Sequence, residues 1–186
     1  MDFKPHSELE GMHSFLSPSN YHWLNDDEDK IIARYNKRQK AQRGTELHAW
    51  AHECIRLARL QPESGDIISQ YINDGIRWRM RTEVILFFTL LAFGSVDAVR
   101  YDELKRVLRV SDLKTGTTIA SFVQLECYAA LFCLEYDLNP FEISIELRIY
   151  QGRQVKEVLA DPDRIFHVMD RYKTANKIIE AYRKEL

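Results

Sequence analysis

The sequence predicts a single α/β domain over residues 1–186, of the α+β kind, in which helices flank a small, mixed and mostly antiparallel sheet. Two changes of pattern support this fold class. Apolar residues recur at intervals of three and four before residue 80 and again after residue 162, which indicates helices. The residues between these regions are rich in β-branched and aromatic types and partly alternate with polar ones, which indicates strands.

Four helices are predicted before the sheet, after a flexible arm at residues 1–14. Their expected positions are from about residue 20, from 26 to 42, from 45 to 60 and from 64 to 80. Gly44 interrupts the apolar periodicity, and Thr45 is a suitable N-cap for a new helix. We therefore expect a break between the second helix and the third.

The remaining elements are predicted from turn residues and from alternation. They are two strands within 83–101 that separate near 89, a strand at 105–114, a helix from 117 or 118 to about 136, strands at 141–150 and 155–159, and a final helix from 162. The segment FEISIELRIY alternates as a half-buried strand should, and QGRQ is suited to turn it into its partner.

The first hairpin brings charged residues together in this prediction. With its turn centred near Glu103, Asp97 lies roughly opposite Val110, and Asp112 is two residues further along. Residues two apart in a strand share a face, so Asp112 and Lys114 lie on the same face. A diagonal neighbour across two strands is about 7–8 Å away, which is near enough for Asp97 and Asp112 to hold one cation.

The chemistry of these residues suits a hydrolytic metal site. The strand around Asp112 is apolar, so its charge is expected near the core, where it needs a partner. Carboxylate oxygens suit Mg²⁺, and a bound divalent ion lowers the pKa of its water. Lys114 is suited to orient or deprotonate that water and to offset charge on a phosphate. Taken alone, Asp-x-Lys is equally typical of a surface ion pair.

Composition limits the other classes of function. Hydrophobic residues make up 45% and charged residues 29% of the chain, and the formal net charge is −2, so a globular protein without a global preference for nucleic acid is expected. No run of about 18 apolar residues predicts a membrane span, and the N-terminus does not resemble a secretory signal. Three cysteines without a C-x-x-C spacing indicate a reducing cytoplasm and no disulfide framework.

Five sequence elements occur in an order that resembles the PD-(D/E)XK nuclease superfamily. They are GTELH from Gly44, the acid Glu83, GSVDAV from Gly94, SDLKTG from Ser111 and QLECY from Gln124. They are most similar to the RecB-like branch, which includes phage exonucleases and CRISPR adaptation nucleases. The resemblance extends over residues 16–128, with LSPSNYHWL matching a weaker Ser-x-Ser element. It implies a restriction-endonuclease-like core.

The resemblance also implies a role for each matched residue. Asp97 and Asp112 would bind metal and form the catalytic set with Lys114. His48 would add an imidazole ligand, and Leu113 would lend its backbone carbonyl. The expected cofactor is one or two Mg²⁺ or Mn²⁺ ions. An iron–sulfur cluster is not expected, because relatives that hold one have a cysteine near the N-terminus and three near the C-terminus.

Three further residues match positions of the family that face or flank the DNA. Gln124 and Tyr128, one helical turn apart, resemble a pair that helps to hold DNA, and Glu83 matches an acid whose role is less settled. Without the resemblance, each has an ordinary structural alternative. Gln124 and Tyr128 suit the edge of a packed helix, Glu83 suits a strand end, and His48 suits a hydrogen-bonded core position.

Two basic stretches are candidates for contact with a DNA backbone. Residues 30–43 contain six Lys or Arg and no acid, including Lys40 and Arg43, and a second group is formed by Arg77, Arg79 and Arg81. Each stretch is also typical of a solvated helix face. Phosphate contact is expected only if these stretches flank the metal site.

The function predicted from the resemblance is a metal-dependent DNA exonuclease that acts on DNA ends in recombination, repair or replication. Two alternatives stay open, a structure-specific endonuclease for junctions or flaps and a catalytically silent DNA-binding or interaction module with the same fold. The expected partner is DNA, without a membrane. A homo-oligomer and a recombination or replication partner protein are also compatible with the pattern, as is a phage origin with activity in the host cytoplasm.

Overall fold

The computed structural model describes residues 14–118 and 120–185, so the predicted arm falls, except for its last residue, outside the described residues. The chain groups into two compact units, Met1–Thr45 and Glu46–Leu186. In the first unit, a short 3₁₀ helix, Pro18–Asn25, is followed by the start of a long α-helix. There the Arg34 guanidinium lies 2.7 Å from the Asp26 carboxylate, and the Phe15 ring packs edge-on against Tyr35.

Helix α1 comprises Glu28–Arg56, so the predicted break at Gly44 and the separate helix capped by Thr45 are wrong. The Thr45 hydroxyl donates to the Ala41 carbonyl one turn back at 3.2 Å and therefore bonds within the helix. A glycine inside a helix costs only about 1 kcal/mol relative to alanine, which a long helix can tolerate. Periodicity was a stronger signal here than the single glycine.

Helix α2, Ile67–Arg77, is shorter at both ends than the predicted 64–80. Asp66 fixes its start, because the carboxylate accepts the backbone N–H groups of Ile68 and Ser69. The strands are β1 Arg81–Thr89, β2 Ala92–Asp102, β3 Val107–Lys114, β4 Ser144–Gln151 and β5 Gln154–Leu159. Helix α3, Val123–Glu135, and a 3₁₀ turn, Pro140–Glu142, lie between β3 and β4, and helix α4, Pro162–Lys184, follows β5.

The five strands form one sheet in the order β1-β2-β3-β4-β5. Neighbours are antiparallel except for β3 and β4, which are parallel and are joined through α3, as a parallel connection requires. The predicted fold class, a mixed α/β fold with a mostly antiparallel sheet flanked by helices, is confirmed. The hairpin of β4 and β5 through QGRQ also forms as predicted, with Gln151 opposite Gln154.

Helix α3 begins at Val123 and not at Thr117 or Thr118, so that prediction is wrong. Residues 115–122 form a loop, apart from Ile119, which is outside the described part of the chain. The Thr118 carbonyl accepts the side-chain amide of Gln151 at 2.7 Å, so it does not serve a helical N–H group. A side chain from β4 therefore keeps this stretch out of the helix.

Two apolar clusters cover the two faces of the sheet. The larger cluster packs α3 and α4 against the strands and contains residues such as Val96, Val110 and Leu125. The smaller cluster packs the last turns of α1 and helix α2 against the other face, through residues such as Ala98 and Leu113. Within the described residues, no helix is long and apolar enough to cross a membrane.

Candidate metal and DNA site

The register of β2 and β3 places Asp97 closer to Asp112 than the sequence predicted. Ala98 pairs with Ser111 and Val99 with Val110, so the expectation that Asp97 lies opposite Val110 is wrong by two residues. The turn comprises the four residues after Asp102, and its last residue, Arg106, has φ +54°. A sequence search for a two-residue turn misses this four-residue turn, which ends on a residue with left-handed backbone.

The strands rotate where β1 and β2 pass the site. Val96 packs in the cluster under α3, whereas Ala98, two residues along the same strand, packs in the cluster under α2. Residues two apart normally share a face, so the backbone turns over at Asp97. Glu83 lies across from it, between the pairs Thr82–Ala98 and Val84–Val96, with φ +52°. This irregularity frees the Asp97 carboxylate from the regular faces of the sheet.

The Asp97 carboxylate is bound from two sides. Its Oδ2 atom accepts the backbone N–H of Leu113 at 2.9 Å and lies 3.5 Å from Nδ1 of His48 on α1. Burial is the main reason that its pKa rises to about 6, and the negative charges of Asp112 and, to a smaller extent, Glu83 raise it further. The carboxylate thus lies in an environment that disfavours its charge unless a cation is nearby.

The Asp112 carboxylate is the more deeply buried of the two, with 3% of its side chain exposed. Its Oδ1 atom accepts the Lys114 ammonium at 3.0 Å, and the same ammonium donates to Oε1 of Gln124 at 3.0 Å. The other oxygen, Oδ2, is buried and has no hydrogen-bond partner among the described residues. An unpartnered buried carboxylate oxygen is unfavourable and suits a cation.

Helix α3 supplies the pair that was predicted to hold DNA. Gln124 lies in its first turn, and its amide nitrogen is 3.5 Å from the Tyr128 hydroxyl. The Tyr128 ring lies against β2 at Gly94, where an added Cβ would come within 3.2 Å of the ring. The absence of a side chain at Gly94 thus leaves room for the Tyr128 ring. Both residues are brought to the end of β3 that carries Lys114.

The remaining predicted residues are placed as follows. The Leu113 N–H points to Asp97, and its carbonyl points the same way, since both groups of a strand residue face the same neighbour. Glu83 accepts the Ser95 hydroxyl at 3.3 Å and does not bond Asp97. Lys40 and Arg43 are exposed on α1 in the first unit, so their relation to the site stays a prediction. Arg77 and its two basic neighbours are exposed as well.

The donor set fits part of the coordination shell of a hard divalent ion. Nδ1 of His48 lies 3.5 Å from the Asp97 carboxylate, the charge of Asp112 acts on Asp97, and the unpartnered Asp112 oxygen is of the type that Mg²⁺ or Mn²⁺ prefers. Within residues 14–118 and 120–185, however, no group of three or more His, Cys, Asp or Glu side chains that could hold a metal ion is present. Water and a phosphate oxygen would supply the remaining ligands, as is usual for Mg²⁺.

Sequence reasoning missed two residues close to this site. Tyr71 of α2 is 4% exposed, and burial, together with the charges of Asp97, Glu83 and Asp112, raises its pKa well above the usual value. Gln151 bonds the loop that follows Lys114 through three hydrogen bonds. The signal that could have identified Gln151 is its position as a polar residue at the end of the alternating segment. For Tyr71 the sequence offers no such signal, because a buried tyrosine is common on an amphipathic helix.

Comparison of the chain with known proteins and structures found no similar protein. No family model matches the chain, and no curated protein or solved structure is significantly similar to it.

Proposed function

We propose that the protein is a metal-dependent deoxyribonuclease that hydrolyses phosphodiester bonds, most simply as an exonuclease on DNA ends. The observation that carries the proposal is the arrangement at the end of β3. One oxygen of Asp112 is buried without a partner, and the charge of this carboxylate acts on Asp97. The neighbouring Lys114 ammonium is bonded by Asp112 and Gln124. Asp97, Asp112, Lys114 and Gln124 are also residues to which the resemblance to the RecB-like nucleases assigns a role, which supports the proposal.

The chain's own residues have distinct parts in this proposal. Asp97, Asp112 and His48 would hold the divalent ion, with the carbonyl of Leu113 facing the same side. When bound, the ion supplies a more acidic water and charge stabilisation for the phosphate. Lys114 holds a positive charge 3.0 Å from Asp112, where it orients the attacking water and offsets charge that develops on the phosphoryl oxygens.

The reaction itself is a displacement at phosphorus. The oxygen of water forms a bond to phosphorus, the bond to one bridging oxygen breaks, and the proton that the water gives up is balanced by the proton that the leaving oxygen takes from solvent. Gln124 fixes the Lys114 ammonium by accepting one of its hydrogens. Holding the ammonium in one place matters because a lysine side chain is otherwise flexible.

The test is a cleavage assay with Mg²⁺ or Mn²⁺ on linear duplex, linear single-stranded, nicked circular and branched DNA. We expect Asp112→Asn and Lys114→Ala to lower kcat by about 10³-fold, since the first removes a proposed ligand of the ion and the second removes the group that orients the reacting water. Asp170→Asn and Lys173→Ala are the matched controls, because both residues are exposed on α4.

The pattern of substrates separates the possible activities. Loss of linear DNA with nicked circles left intact indicates an exonuclease, and cleavage confined to branched DNA indicates a structure-specific endonuclease. If the wild type and both site variants behave alike on every DNA form, hydrolysis at this site is wrong. Binding without cleavage would identify a DNA-binding module of the same fold.

A further inference from the structure

We propose that Gln151 is a positioning residue for this reaction. Its side-chain amide fixes the loop at residues 115–118 and so sets the place of Lys114 relative to Gln124. The inference rests on the proposed function, because only hydrolysis gives the loop geometry a consequence in kcat. It adds a residue from β4 that lies outside the motifs.

The amide of Gln151 extends the sheet beyond its last strand pair. Gln151 is the final residue of β4 and lies opposite Lys114 in the parallel ladder. Its Nε2 donates to the carbonyls of Gly116 at 2.9 Å and Thr118 at 2.7 Å. Its Oε1 accepts the backbone N–H of Ala120 at 3.2 Å. One side chain thus uses both donors and its acceptor on the backbone of one loop.

Residues 115–118 of the loop gain little support from apolar packing. Residues 115–118 are all exposed, and a Cβ added at Gly116 would meet no atom within 4 Å. Further along the chain, Ala120 and Phe122 pack against the larger core cluster. Among the described residues of this loop, the three hydrogen bonds to Gln151 therefore restrain the backbone path.

That path determines how the lysine meets its partner on α3. Lys114 is the last residue of β3, and Gln124 lies at the start of α3, directly after the loop. The ammonium lies 3.0 Å from both Asp112 and Gln124, so a shift of either loop end lengthens one of these contacts. A misplacement of about 1 Å in a catalytic group can lower a rate by about 10²-fold.

The test compares Gln151→Met with Gln154→Met. Methionine has a similar length but cannot bond the loop, and Gln154 is an exposed glutamine opposite Gln151 across the β4–β5 turn. We expect Gln151→Met to lower kcat by about 10- to 100-fold. KM and the affinity for Mn²⁺ alone are expected to stay within about twofold of the wild type, because no metal-binding side chain is changed. Gln154→Met is expected to match the wild type.

A second readout follows the loop without any catalysis. Hydrogen exchange of the Ala120 amide is expected to be at least about tenfold faster in Gln151→Met than in the wild type or in Gln154→Met. Gln151→Glu keeps the acceptor and loses both donors, so a lower kcat is expected there too. Combining Gln151→Met with Gln124→Met is expected to lower kcat less than the product of the two single effects, since both act on Lys114.

Several results would overturn the inference. One is an unchanged kcat in Gln151→Met with faster exchange at Ala120, and another is a loss of kcat matched by an equal loss of Mn²⁺ affinity. A wild type that cleaves no DNA would instead overturn the proposed function. In that case only the hydrogen-exchange rate tests whether Gln151 holds the loop. Unchanged exchange at Ala120 in Gln151→Met would show that it does not.

Discussion

Two groups of charged residues lie on the sheet, and they differ in how their charges are matched. In the first, the Arg109 guanidinium lies 2.7 Å from Glu146, and Arg148 lies 2.9 Å from Glu157. Both guanidinium groups stack over Trp78, at 5.6 Å and 4.3 Å from its ring centroid. Arg109 and Arg148 each have a buried Nε without a hydrogen bond, but both guanidinium charges are paired with a carboxylate and lie over the ring.

The second group, at Asp97 and Asp112, is matched only in part. The negative charges of Asp112 and Glu83 both act on Asp97, and the nearby cation Lys114 pairs with Asp112 and also donates to Gln124. One oxygen of Asp112 stays buried without a partner. Burial of surplus negative charge destabilises a fold, so it needs a reason other than stability. The difference between the two groups is the one expected if the arginine pairs are structural and the second group binds a cation, as proposed.

The largest expected effect on stability comes from relieving this surplus. Burial and the charge of Asp112 raise the pKa of Asp97 to about 6, so the folded protein binds this proton more tightly than the unfolded chain. The contribution of Asp97 to stability therefore decreases as the pH rises from about 4 to 6. In the absence of metal, Asp97→Asn is expected to raise the free energy of unfolding by up to about 3 kcal/mol at pH 8 and by little at pH 4.

Urea unfolding with a chelator at both pH values measures this change. Asp170→Asn, at an exposed position on α4, is the control and is expected to change the free energy of unfolding by less than about 0.5 kcal/mol. A variant that is less stable than the wild type at pH 8, or equally shifted at both pH values, would show that Asp97 is not held under charge repulsion.

A smaller effect of opposite sign is expected in the matched group. Glu146→Gln leaves the partly buried Arg109 without its carboxylate, so the free energy of unfolding should fall by about 1–2 kcal/mol. DNA cleavage and Mn²⁺ affinity should not change. Parallel unfolding and cleavage measurements, with Glu180→Gln on α4 as the control, check both statements. Reduced Mn²⁺ binding in Glu146→Gln would remove the distinction between the two groups.

The sequence predicted the elements of the sheet well, because their signals are local. Alternation identified β4, and β-branched residues around Thr89 identified the first hairpin. The register was wrong because it depends on the left-handed backbone at Arg106, a choice that nothing at that arginine indicates. The continuity of α1 through Gly44 was missed for a related reason, since a glycine is tolerated when the residues on both sides favour the helix.

Prediction of the site was partial in a similar way. Asp112 and Lys114 lie two apart in one strand, so their proximity followed from the strand period alone. The rotation of the backbone at Asp97 and Glu83 was not predictable, because it depends on packing against both helical layers. Gln151 was missed because its three partners lie 31 to 35 residues earlier in the chain.

The most direct test of the central claim is a titration of the protein with Mn²⁺, followed by electron paramagnetic resonance or calorimetry without DNA. The wild type and Glu146→Gln are predicted to bind Mn²⁺ equally. Asp112→Asn is predicted to bind it at least about 100-fold more weakly. Loss of a residue that only hydrogen-bonds a metal ligand already lowers the affinity for the metal by about 10- to 100-fold. Equal binding by all three proteins, or binding by none, would contradict the account of Asp112 as a cation ligand.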